Sequence, residues 1–312
     1  MRAPVVAALD VGGTSIKAAL VDREGGVLLE TRRPTGAQDG PEAVVRGIVE
    51  LAAELAADPD HQVIAVGTCV PGSVDAAAGI ARLAVNLGWS DVPLAAMIAG
   101  RTGLPVALGH DVRTAVLAEA RSAPDVAGSL FFIAIGTGIA GGLATAGVVE
   151  DGATGLSGEV GHLVVRPGGA LCGCGNRGCL ETVASASRIA DRFAVATGRH
   201  GGSAADIAAL VDSGNAVAQA IWAEAIDALA DALAAVTVLM DPGRIVIGGG
   251  LSLAGATLID PLTEALARRL TFHRPPPLTV SELGDRAGVL GAALRAWDLL
   301  DGSAGAAAGG AA

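Results

Sequence analysis

Residues 5–31, VVAALDVGGTSIKAALVDREGGVLLET, contain three short runs of β-forming residues, separated by two polar turns that are rich in glycine. Apolar and β-branched runs of this length are typical of strands, and glycine turns between them are typical of hairpins. The runs Val5–Leu9, Ile16–Val21 and Val27–Thr31 therefore predict an antiparallel meander at the start of the chain.

A second stretch repeats this order, since LFFIAIGTGIAGGLATAG at residues 130–147 again predicts strand, glycine turn and strand. Helix and strand signals alternate after each meander, and helices are predicted over residues 41–57, 112–121 and 215–239. Two halves of the same design predict an α/β fold with internal duplication and a cleft between two domains.

The predicted domains are a smaller α/β domain, residues 1–110, and a larger one, residues 111–287, which carries a cysteine-rich loop. A C-terminal helix near residues 288–300 is expected to complete the first domain. The end of the chain, residues 303–312, is of low complexity and is predicted to be a disordered tail.

The 312 residues are 51% hydrophobic and carry a formal net charge of −11. This charge would repel nucleic acids and anionic membrane surfaces, and no apolar run reaches the roughly 20 residues that a membrane span requires. The N-terminus lacks the pattern of a secretory signal, so a cytoplasmic protein is expected. Lys17 is the only lysine, and its neighbours Ile16 and Ala18 exclude a Walker-type phosphate loop.

The glycine turns DVGGT, residues 10–14, and GTGIAGG, residues 136–142, occupy equivalent places in the two halves. Glycine allows close approach to a ligand and positive φ angles, so backbone N–H groups and threonine hydroxyls can surround phosphate oxygens. Asp10 ends the first strand, where a carboxylate can hold Mg²⁺ on a polyphosphate. Ordinary hairpin turns are the alternative in a chain with 45 glycines. The candidate nucleotide ligands are Asp10, Gly12, Gly13, Thr14, Gly136, Thr137, Gly138 and Gly141.

A third glycine turn follows the buried-strand pattern RIVIG. Its residues Gly248, Gly249 and Gly250 would let adenine and ribose lie against the backbone. Strand-to-helix junctions of this kind are also common in other α/β proteins, so this turn supports a nucleotide site only together with the other two.

The stretch GHLVVRPGGALCGCGNRGC, residues 161–179, contains three of the four cysteines. Together with His162, the thiols of Cys172, Cys174 and Cys179 provide the four ligands that a structural zinc ion requires. Incidental thiols in a reduced surface loop are the alternative, and the Cys-x-Cys spacing disfavours a disulfide framework. Cys69 stands apart and is predicted to be a small buried residue.

Five stretches occur in one order: LDVGGT, GHDVRTAVLAE, GTGIAGGL, GEVGHLVV with CGCGNRGCLE, and IVIGGGLS. In these motifs nearly the whole chain resembles the ROK family of sugar kinases and repressors, and within it the glucokinases. The resemblance implies a two-domain actin-like, ribonuclease-H-like kinase fold and a homodimer. It also implies ATP and Mg²⁺ as cofactors, together with a structural Zn²⁺.

By the same resemblance, His162 would bind zinc through one ring nitrogen and a sugar hydroxyl through the other. Glu159 and Glu181 would accept hydrogen bonds from further hydroxyls, and charged acceptors of this kind discriminate between epimers. Gly72 and Asn86 fall where family members line the sugar pocket, although both also suit ordinary loops.

Asp111 is the candidate general base, because it stands between the strand LPVALGH and the helix predicted at residues 112–121. Aspartate is also a favoured helix N-cap, so a capping role alone is the alternative. Family glucokinases carry Asn immediately before this Asp, whereas this chain has His110, which can still donate a hydrogen bond to a sugar. Ala140 also replaces a glycine that is common in the second turn.

The sequence therefore predicts ATP-dependent phosphorylation of a hexose at the 6-hydroxyl, with glucose as the favoured substrate. His110 keeps an amino sugar open, such as N-acetylglucosamine, N-acetylmannosamine or kanosamine, and polyphosphate stays open as the donor. A repressor is disfavoured because the first glycine turn is reached by residue 10, which leaves no room for a DNA-binding domain. A sugar-binding protein without catalysis is disfavoured by the presence of both Asp10 and Asp111.

Overall fold

The computed structural model describes residues 2–122, 128–199 and 201–302. The chain divides into two compact units. Unit 1 contains Met1–Ser122, Asp151–Leu156 and Asp285–Ala312, and unit 2 contains Ala123–Glu150 and Ser157–Gly284. The predicted tail, residues 303–312, lies outside the described residues.

The described part of unit 1 contains β1 (Pro4–Val11), β2 (Ser15–Val21), β3 (Val27–Pro34), α1 (Pro41–Ala56), β4 (Gln62–Val70), β5 (Ser73–Asp75), β6 (Ile80–Ala84), β7 (Trp89–Val92), α2 (Leu94–Thr102), β8 (Val106–His110), α3 (Asp111–Ser122) and, from the end of the chain, α9 (Ala287–Leu300). Its main sheet has the order β3-β2-β1-β4-β8. Strands β1 to β3 form the predicted antiparallel meander, and β4 and β8 continue the sheet in parallel with β1. A second, antiparallel sheet is formed by β5, β6 and β7, none of which was identified from the sequence as a separate strand.

Both faces of the main sheet in unit 1 are covered by helices. Alternate residues of a strand face opposite sides of its sheet. In β1, Val5 and Leu9 pack in a core with α1 and α2, whereas Val6 and Ala8 pack in a second core with α9. The near-continuous apolar run of β1 follows from burial on both faces.

Helix α9 also packs closely on α3, because glycine lies at the crossing. A Cβ at Gly291 would overlap the backbone carbonyl of Thr114.

The predicted domain boundary between residues 110 and 111 falls inside unit 1, between β8 and α3. The C-terminal helix begins at Ala287 and lies in unit 1 as well.

The described part of unit 2 contains β9 (Ser129–Ile135), β10 (Ile139–Thr145), β11 (Val148–Val149), α4 (Glu181–Ala184), α5 (Ala186–Thr197), α6 (Ala204–Asp212), α7 (Ala216–Met240), β12 (Arg244–Gly248), α8 (Ala256–Arg269) and β13 (Leu278–Val280). Its sheet has the order β11-β10-β9-β12-β13. Helix α7 begins where predicted, because the side chain of Asn215 caps it by accepting a hydrogen bond from the Ala218 N–H at 3.0 Å. The sequence did not predict α4, α5 and α6.

The predicted duplication is confirmed by the two strand orders. In each unit an antiparallel meander of three strands is continued by two strands parallel to the first strand of the meander. Each glycine turn predicted to bind phosphate joins the first and second strands of its sheet. Within the described residues, no helix is both long and apolar enough to cross a membrane.

Candidate active site and metal centre

The carboxyl ends of three parallel strands in unit 1 bring polar groups together. The backbone register pairs Asp10 of β1 with Cys69 of β4, and Cys69 with Gly109 of β8. Two strand spacings separate Asp10 from Gly109, or about 10 Å. Asp111, the predicted base, follows β8 directly, so it lies at the same edge of the sheet as the DVGGT turn.

The first glycine turn is fixed by hydrogen bonds within unit 1. The Thr35 hydroxyl donates to the Gly12 carbonyl at 2.6 Å, and the Thr35 N–H donates to the Thr14 carbonyl at 3.0 Å. The side-chain amide of Asn86 lies beside Gly13, 3.2 Å from where a Cβ would stand. The structure thus places a predicted sugar ligand against a predicted phosphate turn.

Asp10 has protein partners of its own. The Lys17 ammonium lies 3.4 Å from its carboxylate and also contacts the side chain and the backbone carbonyl of Asp285. The carboxylate lies against Gly288, in the first turn of α9, where helix N–H groups favour a negative charge. Lys17 therefore ties the first glycine turn to the start of α9.

Helix α3 begins at Asp111, one residue before the start that the sequence predicted. The Asp111 Oδ1 accepts a hydrogen bond from the Val112 N–H at 2.7 Å. His110 precedes the helix, and its Nδ1 accepts a hydrogen bond from the Arg113 N–H at 3.4 Å. The Nε2 of His110 lies 3.3 Å from Asp111 Oδ1, and the Asp111 side chain is 31% exposed.

Two arginines that the sequence did not single out lie around this junction. The Arg113 Nε lies 3.0 Å from a carboxylate oxygen of Asp151, and the Arg295 Nε donates to the Thr114 hydroxyl at 2.9 Å. Burial of His110, together with these two cations, lowers its pKa to about 3, so the imidazole is neutral. The sequence did contain a sign that Arg113 is buried, because this arginine interrupts the apolar pattern of α3.

Cys69 is buried, as predicted. Its Sγ lies 3.5 Å from Asp10 Oδ1, and burial raises the pKa of the thiol well above its usual value. The thiol is therefore neutral and packs beneath the edge that carries Asp10 and Asp111.

In unit 2, the second glycine turn is held by Glu181. The Ile139 N–H donates to the Glu181 carboxylate at 2.9 Å, and a Cβ at Gly138 would lie 2.5 Å from the same oxygen. A larger residue at position 138 would displace this carboxylate. Ala140 has no positive φ, so the replacement of a glycine there causes no strain.

The segment that carries Glu159 and His162 packs next to this turn. The Gly141 N–H donates to the Gly158 carbonyl at 2.7 Å. Glu159 precedes a single 3₁₀ turn, Val160–His162, and the His162 N–H donates to the Glu159 carbonyl at 3.0 Å. Three predicted sugar ligands, Glu159, His162 and Glu181, thus belong to one part of unit 2.

The glycine turns were expected to use positive φ angles, and most of their glycines do not. Among the glycines predicted to bind nucleotide, only Gly249 has a positive φ, of 78°. A Cβ at Gly248 would lie 2.5 Å from the Phe132 ring, and a Cβ at Gly249 would lie 2.6 Å from the Ile135 carbonyl. Packing therefore accounts for these two glycines, while Gly250 has open space beside its Cα.

Gly72 also has a structural reason. Its φ is 88°, and a Cβ there would overlap the backbone of Leu83 in β6. The close approach of β6 therefore requires glycine at this position, whether or not a sugar is bound.

The four predicted zinc ligands converge. One donor atom each from His162, Cys172, Cys174 and Cys179 lies within 4.8 Å of all the others. The Cys174 and Cys179 sulfurs are 3.7 Å apart, and the Cys172 sulfur is 3.6 Å from His162 Nδ1. Tetrahedral zinc requires about 3.8 Å between two sulfurs and about 3.6 Å between sulfur and nitrogen. These two pairs already stand at the spacings that zinc imposes, and the four donors together fit the ligand set of a structural zinc ion.

The loop that carries these ligands is anchored to α7. Arg166 forms ion pairs of 2.6 Å with both Asp227 and Asp231. Short bridges between Val164 and Cys179 and between Leu171 and Arg177 give the loop its shape. Since Nδ1 of His162 faces the sulfurs, its Nε2 lies on the opposite side of the ring.

Comparisons with known proteins agree with these motifs. The ROK family model matches residues 6–298. The glucokinase of Thermotoga maritima is 35% identical over 305 residues, which cover 91% of this chain and 95% of that enzyme. The N-acetylmannosamine kinase of Escherichia fergusonii is 32% identical over 292 residues, with coverages of 93% and 97%. The crystal structure of a ROK family glucokinase from Streptomyces griseus in complex with glucose and AMPPNP is 30% identical, with a TM-score of 0.81 and coverages of 94% and 99%.

Proposed function

Because the chain belongs to the ROK family and has its two-domain actin-like sugar kinase fold, we propose that it transfers the terminal phosphoryl group of ATP to the 6-hydroxyl of a hexose, with glucose as the favoured substrate. The observation that carries this proposal is the placement of Asp111 and the DVGGT turn at one edge of the unit 1 sheet. A base and a phosphate-binding turn at the same edge are the minimum that phosphoryl transfer to an alcohol requires.

Asp111 is proposed as the general base. In phosphoryl transfer to an alcohol, a carboxylate accepts the hydroxyl proton as the bond between oxygen and phosphorus forms. The partial exposure of Asp111 supports this role, because a sugar hydroxyl must reach the carboxylate. The neutral state of His110 leaves the negative charge of Asp111 without a neighbouring imidazolium.

The nucleotide is proposed to bind through the glycine turns. Backbone groups at residues 12–14 of unit 1 are proposed to bind phosphate oxygens, and so are those at residues 136–138 of unit 2. The adenosine would lie beside Gly250 of unit 2, where the chain leaves open space. Asp10 is the proposed ligand of Mg²⁺, through water, since Lys17 already lies beside its carboxylate. The AMPPNP complex of the Streptomyces griseus glucokinase supports ATP as the donor.

Glu159, His162 and Glu181 of unit 2 are proposed to hold the sugar. Asn86 and Gly72 stay sugar contacts predicted from the sequence. Zinc, when bound, would orient the His162 ring without entering the reaction. Nε2 of His162 would then face a sugar hydroxyl. The charged acceptors would reject epimers, because an epimer leaves one of the carboxylates without its hydroxyl partner.

A kinase for an amino sugar is the second candidate. The similarity to N-acetylmannosamine kinase at 32% identity favours it. The homodimer and the cytoplasmic location also stay predictions.

The test is a hexose-dependent ADP-release assay with ATP and Mg²⁺ on glucose, mannose, N-acetylglucosamine, N-acetylmannosamine and kanosamine, repeated with polyphosphate as the donor. Coupling the product to glucose-6-phosphate dehydrogenase reports phosphorylation at the 6-hydroxyl of glucose specifically. We expect the highest kcat/KM with glucose and ATP. ADP release that no sugar in the panel stimulates would refute the kinase, and a preference for an amino sugar would favour the second candidate.

A further inference from the structure

We propose that His110 is a positioning residue that donates a hydrogen bond from Nε2 to the Asp111 carboxylate, and that it does not bind the sugar. This inference rests on the proposed function only in naming Asp111 as the base. The hydrogen-bonding pattern of the ring and the charges around it support it independently.

The hydrogen bonds of the ring determine its tautomer. The Arg113 N–H points at Nδ1 of His110 across 3.4 Å, and only an unprotonated nitrogen can accept from it. A neutral imidazole then carries its proton on Nε2. That nitrogen lies 3.3 Å from Asp111 Oδ1, which as a carboxylate oxygen can only accept. His110 therefore caps α3 with one nitrogen and donates to Asp111 with the other.

The surroundings of His110 keep the ring neutral. Its side chain is 7% exposed, and the charged groups facing it are Arg113 from α3, Arg295 from α9 and the Asp111 carboxylate itself. Strand β4, which pairs with β8 through Val70 and His110, brings the neutral thiol of Cys69. Two guanidinium groups and burial oppose a second proton on the ring, so the single Nε2–H persists across neutral pH.

Both nitrogens of His110 thus have partners within unit 1, and neither is left to contact a sugar hydroxyl. In the proposed arrangement the Asp111 Oδ1 has two donors: the Val112 N–H, at 2.7 Å, and the Nε2–H of His110, whose nitrogen lies 3.3 Å away. Two donors fix the rotation of a carboxylate and stabilise its ionised form. The expected contribution is to turnover and to the acid side of the pH profile, and not to sugar affinity.

The test compares His110→Asn with His110→Gln. The asparagine amide oxygen can still accept the Arg113 N–H and cap the helix, but the side chain ends before the position of Nε2. The longer glutamine can return a donor to Asp111. We expect His110→Asn to lower kcat about tenfold and to move the acid limb of kcat/KM up by about one pH unit, with the sugar KM changed less than about twofold. His110→Gln should recover part of the loss.

A matched control is His61→Asn. His61 also pairs with an aspartate, since its Nδ1 lies 2.9 Å from Asp58 Oδ1, but this pair precedes β4 and is outside the site. It should change neither kcat nor the acid limb. A raised sugar KM with unchanged kcat and acid limb in His110→Asn would overturn the inference and make His110 a sugar ligand.

A measurement without turnover separates this inference from the proposed function. Nitrogen-15 NMR of histidine-labelled protein reports the tautomer of each of the five histidines, and His110→Asn assigns the resonance. We expect a neutral ring with its proton on Nε2 from about pH 5 to about pH 8. A proton on Nδ1, or an imidazolium near neutral pH, would overturn the inference even if the hexose kinase activity is found. A chain inactive on every sugar would refute the kinase and leave the NMR result to decide on His110.

Discussion

Cys174→Ser is predicted to weaken zinc binding strongly at the centre formed by His162, Cys172, Cys174 and Cys179. Cys174 is exposed, so its replacement changes the ligand set and hardly changes the packing. Its sulfur stands 3.7 Å from that of Cys179, at the spacing that one shared tetrahedral ion imposes. A loss of affinity after this substitution therefore reports the metal directly.

The expected size follows from the geometry. All four donors lie within 4.8 Å of one another, and two of the pairs stand at 3.6 and 3.7 Å, so the four ligands are taken to contribute comparable shares of the binding free energy. Structural zinc sites bind with about 10–16 kcal/mol in total, so one ligand of four accounts for about 3–4 kcal/mol. Loss of one thiolate should weaken zinc binding by a factor on the order of 10² to 10³.

The assay is elemental analysis of zinc per chain after gel filtration, followed by competition with a coloured chelator. Cys69→Ser is the control, because Cys69 lies in unit 1 outside the cluster and its loss should leave the zinc content unchanged. Less than about 0.1 zinc per chain in the unsubstituted protein, purified from zinc-supplemented cells, would refute the site. Equal affinity of the Cys174→Ser and unsubstituted proteins would refute the ligand assignment.

Zinc affinity should also fall as the pH falls. Burial and the neighbouring thiols raise the pKa of metal-free Cys179 to about 12, so binding must displace a firmly held proton. Protons then compete with zinc more strongly at lower pH. An affinity that does not change between pH 8 and pH 6 would contradict thiolate ligation.

Three further predictions concern catalysis and stability. Asp111→Asn should lower kcat by at least about 10²-fold, as measured by steady-state kinetics. The loss of a negative charge in the first turn of α3 should cost less than about 1 kcal/mol of stability, as measured by denaturant unfolding. A kcat within a few fold of that of the unsubstituted protein would exclude Asp111 as the base. Glu181→Gln should keep the hydrogen bond from the second glycine turn, because an amide oxygen can also accept it. The substitution should raise the sugar KM about tenfold and leave the ATP KM unchanged. An unchanged sugar KM would contradict the proposed contact between Glu181 and the sugar. Gly291→Ala should destabilise unit 1 by about 2–4 kcal/mol, because the new Cβ would overlap the α3 backbone. Gly47→Ala in α1 is the control: a Cβ there would meet no atom within 4 Å, so the substitution should stabilise unit 1 by about 0.5–1 kcal/mol. Denaturation midpoints that move in the same direction for both variants would refute the packing account.

Features encoded over short distances in the chain could be predicted well. The strands of both meanders and the long helix α7 follow from local periodicity and from capping by Asn215, and the structure has them within a few residues of the predicted bounds. The four zinc ligands lie in one loop, so their spacing alone indicated their convergence. Short strands such as β5 and short helices such as α4 carry too little periodic signal, and both were missed.

The contacts around the catalytic candidates could not be predicted in this way, because they join residues that are far apart in the chain. Cys69 meets Asp10 across 59 residues, and Lys17 meets Asp285 across 268 residues. The spacing of residues in the sequence does not predict these contacts, because they depend on the register of parallel strands and on the packing of α9 in unit 1. The sequence supplied the aspartate, but not its neighbours.

From the sequence alone came the meanders, the duplication, the zinc ligands and the residue types at each candidate site. Tertiary structure alone decided that His110 caps α3, that Asp111 begins the helix, and that Arg113 and Arg295 lie close enough to keep the imidazole neutral. The physical reason is range: periodicity and metal-ligand spacing are properties of consecutive residues, whereas burial and electrostatic environment are set by chain segments that meet only in the folded protein.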